Sequence, residues 1–212
     1  LLILVASGAL TYSALYRPWE IIQQTGAHPM LYPAMIGGAI LAFITALVVI
    51  FKPNTAPLSA PLYAVLEGVF LGAISCMPGY SDLTFSAMIV TCSILGVMLF
   101  LYRAKIIQPT QKFKAGVMTA TIGLFVVIGV NFLLNIFGIG TALYSGGLFA
   151  IGFSLVIIAL ASCYLILDFD LIESLARNGA PKRMEWYAGF SLLITLVWIY
   201  LEVLRLLSYL RD

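Results

Sequence analysis

Charge is scarce in this chain: Asp, Glu, Lys and Arg make up 9% of its 212 residues, against 62% hydrophobic ones. A soluble domain of that length cannot hide so much apolar side chain. With a mean hydropathy of +1.08, the composition specifies an integral membrane protein. Histidine occurs once, as His28, in a loop beside Pro29 where water is expected to solvate it. The three cysteines, Cys76, Cys92 and Cys163, fall in apolar segments at no metal-ligand spacing, as small buried side chains do. These shortages exclude chemistries. Zinc hydrolysis needs a His/Cys/carboxylate cluster, and a serine nucleophile needs a base within reach. A retinal Schiff base needs a lysine inside a helix, yet every lysine flanks or connects an apolar segment. No glycine-rich phosphate loop occurs. We therefore expect no enzyme, no cofactor and no resident metal. The net charge of +2, without a basic run, argues against nucleic acid as a partner.

What the chain does have is long apolar runs. About 20 such residues cross a bilayer, and seven stretches qualify: 1–16, 32–51, 60–77, 84–102, 115–138, 144–168 and 187–210. They are separated by Pro29 and Pro33, Pro53 to Pro61, Pro78-Gly79, Pro109, Gly138 to Gly140, and Gly179-Ala180-Pro181. The first run begins at Leu1 with no Met and no basic flank, so the expectation is an N-terminus cut within its first helix. Short connections predict one all-α transmembrane domain over 1–212, with antiparallel neighbours. Lys52, Arg103, Lys105, Lys112, Lys114, Arg177, Lys182 and Arg183 lie in alternate connections, against Arg17 in the others. That bias predicts a cytoplasmic N-terminus and an external C-terminus. Gly68 and Gly72 form a GxxxG that lets two helix backbones approach, and Asn131 and Asn135 suit interhelical hydrogen bonds.

Against this background each intramembrane acid is a functional-site hypothesis. Asp168 shares a helix face with Ala161, Tyr164, Leu165, Leu171, Ile172 and Leu175, an apolar, inward-facing stripe. Asp170 and Glu173 lie on the opposite face. A cytoplasmic helix extension with a Glu173–Arg177 pair and Gly179 as its stop explains them. Glu202 lies on a stripe with Ser191, Thr195, Trp198, Arg205 and Tyr209. Two roles stay open for it: gating, or simple neutralisation by Arg205 one turn away. Glu67, a turn after Tyr63, either lines the same cavity or bonds a neighbouring helix. Carboxylates, amides and backbone carbonyls are hard oxygen groups suited to protons or Ca²⁺. Two touching carboxyls would share a proton, and losing it would drive their helices apart.

Tyr164-Leu-Ile-Leu-Asp168-Phe-Asp170-Leu-Ile172-Glu173 and Ile199-Tyr-Leu-Glu202-Val-Leu-Arg205 resemble the Bax inhibitor one (transmembrane Bax inhibitor motif) family, its bacterial branch above all. Arg183-Met-Glu185-Trp186-Tyr187 and Leu66-Glu67-Gly68 with Leu71-Gly72 fit the same branch, and the likeness covers the whole chain. The resemblance implies six helices around a central C-terminal one. It also implies a pH-sensitive Ca²⁺ leak in a bacterial inner membrane, gated by an acidic pair, here Asp168 and Glu202. Lys52 would be the nearest match to a basic latch, and Glu67, Asp170 and Arg205 are auxiliary candidates. The second acid is Glu where the family usually has Asp. Contact between the pair requires residues 180–191 to form a loop or to bend at Gly189, whereas a straight final span leaves Glu202 to Arg205. The alternative function is a non-transporting membrane protein that regulates others, in stress response or beside a protease. A proton-coupled transporter would be favoured by inverted repeats, and none is evident.

Overall fold

The computed structural model describes residues 1–16, 29–77, 80–138 and 147–211. Arg17, His28, Pro78, Gly79 and the expected start of the sixth span at 144–146 lie outside them. Among the described residues there are seven α-helices and no strand: α1 (Leu2–Leu15), α2 (Leu31–Phe51), α3 (Ala56–Ser75), α4 (Thr84–Arg103), α5 (Gln111–Ile136), α6 (Leu148–Arg177) and α7 (Arg183–Arg211). Each expected span falls on one of them. Six are long and apolar enough to cross a membrane, while α1 is apolar and 14 residues long. The architecture is an all-α membrane helical bundle.

Local chemistry sets the helix ends. A 3-10 turn, Pro53–Thr55, follows α2, and Pro57 sits in the first turn of α3, where a missing N–H costs nothing. Pro61 lies inside α3, which membrane helices tolerate when neighbours satisfy the freed carbonyl. The Thr110 side chain caps α5 by accepting from Phe113 N at 3.2 Å. Helix α6 stops at Gly179, whose φ is +60°. Gly179 N donates to Ala176 O and Ala180 N to Leu175 O, the two bonds of a Schellman motif. At the end of α5, Gly138 has φ +75° and donates to Asn135 O. Helix α4 ends in the same geometry, with Lys105 N bonded to Tyr102 O and Ile106 N to Leu101 O. There the left-handed residue is Lys105, at φ +57°.

Residues 180–191 do not form the longer loop that contact between the two acids would require. Helix α7 starts at Arg183 and runs through Gly189 to Arg211. Apolar side chains dominate from Trp186 onward, and nothing in the sequence interrupts the i to i−4 ladder. Helix α6 is equally long, reaching Arg177.

The helices fall into two compact units. One comprises residues 1–84 and 174–193; the other comprises 85–173 with the remainder of α7. In the first, α3 packs against α1 through the glycines. A Cβ on Gly68 would lie 2.6 Å from Leu4 O, and one on Gly72 would lie 2.5 Å from Gly8 O. The GxxxG expectation therefore holds: only glycine permits this backbone approach. Leu15, Leu31, Ala73 and Cys76 close one end of the seam. In the second unit, Ala150, Ser154, Ile157, Ala161, Leu165 and Asp168 form one buried stripe along α6. Two expectations change. Cys92 is exposed on the apolar surface of α4, and Cys163 is only half-buried. Asn135 donates to Asn131 O and Oδ1 within α5, because the two amides stack one turn apart on the same helix.

Candidate functional site

Two carboxyls are almost completely enclosed in the second unit: Asp168 is 4% exposed and Glu202 3%. Asp168 is buried because it continues the stripe of small and branched residues along α6. Glu202 is buried on α7, whose polar stripe (Thr195) and apolar side (Leu193, Leu196, Val197, Leu204) are both covered.

Glu202 has a full set of partners. The Ser154 hydroxyl donates to its Oε1 at 2.9 Å. Arg205 Nη1 reaches Oε2 at 3.0 Å and Oε1 at 3.3 Å. Arg205 keeps about a third of its side chain exposed while the carboxylate is dry. The long arginine stem thus brings a charge to Glu202 without burying the whole guanidinium. Around this cluster Trp198 stacks near Phe125 of α5 and tilts against Tyr164 of α6, with both ring separations at 6.2 Å.

Ser154 also fixes the depth of Glu202. Ser154 and Asp168 share one face of α6, separated by four helical turns, so they stand about 21 Å apart along its axis at 1.5 Å per residue. A carboxylate bonded to Ser154 is beyond the reach of Asp168. The expected meeting of the two acids is therefore corrected: the uninterrupted α7 carries Glu202 past Asp168. Each acid lies nine residues before the last residue of its own helix. The helices run antiparallel across a five-residue connection, so the two acids enter the bundle from opposite ends.

The end of α6 beyond Asp168 is tied by other contacts. Lys114 of α5 forms an ion pair with Asp170, and the Tyr102 hydroxyl of α4 donates to Glu173. The Tyr102 ring also lies 5.7 Å from that of Phe169. Asp170 thus ties α6 to α5. Neither partner was named for these acids from sequence, since both come from other helices. Ser154 was missed too; its one signal was a hydroxyl on the same face of the span as Asp168. In the first unit, Glu67 is buried and hydrogen-bonded to Tyr63 one turn back. The Tyr63 ring meets Phe190 of α7 edge-on at 5.0 Å. Lys52 ends α2 in an exposed position.

A family model described as Bax inhibitor 1 like matches residues 1–212, the entire chain. The chain belongs to the Bax inhibitor 1-like family. Comparison with curated proteins and with solved structures returns no match. This Bax inhibitor 1-like protein is accordingly a multi-pass membrane protein whose environment is a lipid bilayer. Among the described residues, its two most deeply buried acids lie on its last two helices.

Proposed function

We propose that this Bax inhibitor 1-like protein is a pH-sensitive cation leak, with Ca²⁺ the expected ion, and that it performs no covalent catalysis. Asp168 and Glu202 are assigned as two gating carboxyls at separate depths rather than one proton-sharing pair. The protein is assigned to a bacterial inner membrane on its family resemblance, and the asymmetry of its basic connections favours a cytoplasmic N-terminal side and an external C-terminus.

The observation that carries this reading is the pair of acids enclosed in apolar spans, where a carboxyl is costly unless it serves ions or protons. The Glu202 cluster suggests how a proton could act. Ionised, the carboxylate is held by Arg205 and Ser154, tying α7 to α6. Gaining a proton removes the charge that Arg205 balances, so the tie is present at higher pH and weakens as pH falls. Opening at this gate is then favoured by acid. Ca²⁺ flux in pure-lipid proteoliposomes on either side of neutral pH tests the assignment. Wild type is expected to show pH-dependent flux. Glu202→Gln should lose the part of that dependence set by Glu202 and keep the part set by Asp168, and Asp168→Asn should do the converse. Equal flux in all three at every pH overturns the gating roles.

The Arg205–Glu202 ion pair itself favours a second reading. A carboxylate neutralised locally can be a structural clamp, and the chain would then regulate other membrane proteins without conducting. That reading predicts no ion flux in pure lipid and a specific copurifying partner.

A further inference from the structure

We propose that the α4–α5 turn is a docking site for the anionic headgroups of phospholipids, formed by Arg103, Lys105 and Lys112, with Ile106 seated at the acyl boundary. The first indication is the backbone. Three described helices end in a left-handed residue; in α5 and α6 it is glycine, and in α4 it is Lys105. Glycine makes this turn at least steric cost. Lysine at this position makes the same turn at some steric cost and adds a cation.

Charge around the turn is one-sided. Arg103 is the last residue of α4, Lys105 follows two positions later, and Lys112 is the second residue of α5; all three are exposed. No acidic residue occurs anywhere from Leu83 to Leu167. The acids that α6 brings to these helix ends are Asp170 and Glu173. The first pairs with Lys114 and the second accepts from the Tyr102 hydroxyl. Beside Lys105, Ile106 is 65% exposed. The turn joins two membrane spans and so sits at the bilayer surface. An exposed isoleucine flanked by cations fits that surface, with the side chain among acyl chains and the charges at headgroup level. Anionic phospholipid is the occupant with both required chemistries, and juxtamembrane lysines and arginines attract it. This inference stands independently of ion conduction.

The test is the affinity of the purified full-length chain for phosphatidylglycerol, by native mass spectrometry, with phosphatidylcholine as the neutral control. Lys105→Gly is the decisive variant because it relaxes the backbone while removing the charge. Its melting temperature without added lipid should equal or exceed that of wild type. Its phosphatidylglycerol affinity should fall about fivefold. The Arg103→Gln/Lys112→Gln double variant should fall further, and soluble glycerol phosphate should not displace the lipid. Unchanged phosphatidylglycerol affinity in Lys105→Gly overturns the proposal whatever the double variant does. So does equal binding of phosphatidylcholine, or displacement by glycerol phosphate.

Discussion

Glu202, Ser154 and Arg205 make a buried charge tolerable by different means: one donates from a dry helix face, the other brings a countercharge from the exposed side. Removing a donor to a buried carboxylate leaves it unsatisfied. Ser154→Ala should therefore destabilise the protein by about 2 kcal/mol. Arg205→Met should cost a similar amount, discounted because the guanidinium is partly exposed. The Glu202→Gln/Arg205→Met double variant should be less destabilised than Arg205→Met alone, because no carboxylate is left in the dry site. Melting temperatures in one detergent check all three. At this scale the sequence was partly legible. The i,i+3 spacing exposed Arg205 as a partner, and the stripe through Ala161 and Leu165 placed Asp168 inward. Ser154, Lys114 and Tyr102 were not legible as partners, since helical periodicity says which face a residue occupies but not which helix lies opposite.

Helices carry the next level of specification. Hydropathy runs and Pro/Gly punctuation located all seven helices because length and apolarity are strong signals when water is absent from the spans. The GxxxG was legible for the same reason: small residues at that spacing have few other uses in a membrane. It left open which helix would approach, and α1 does. Gly72→Ala would push a methyl against Gly8 O, a backbone atom that cannot swing away. A loss of about 1–3 kcal/mol is expected. Gly96→Ala on α4 meets nothing within 4 Å, so it should be neutral or stabilising by up to about 1 kcal/mol. Thermal unfolding of the two variants separates close packing from a general effect of glycine replacement. The uninterrupted course of α7 was the element-scale feature least visible beforehand. Gly189 suggested a bend, yet glycine inside an apolar helix merely permits one.

Across the whole molecule, one consequence of helix length dominates. Helices α6 and α7 span 30 and 29 residues, about 45 Å each, well beyond a hydrocarbon core of about 30 Å. Within that length the two acids are separated in depth, because Glu202 bonds to Ser154, four helical turns from Asp168. The family resemblance pointed to Asp168 and Glu202, and both are buried. It could not give their separation, because that depends on where α7 begins and whether it stays straight. The central claim is that Asp168 and Glu202 act as independent groups. Ca²⁺ flux against pH for wild type, Asp168→Asn, Glu202→Gln and the double variant tests it most directly. Independent sites predict that the two effects on log flux add to within about 0.5 kcal/mol equivalent, as distant substitutions do. A double variant indistinguishable from either single one would mean that the two carboxyls work as a single unit, contradicting the account.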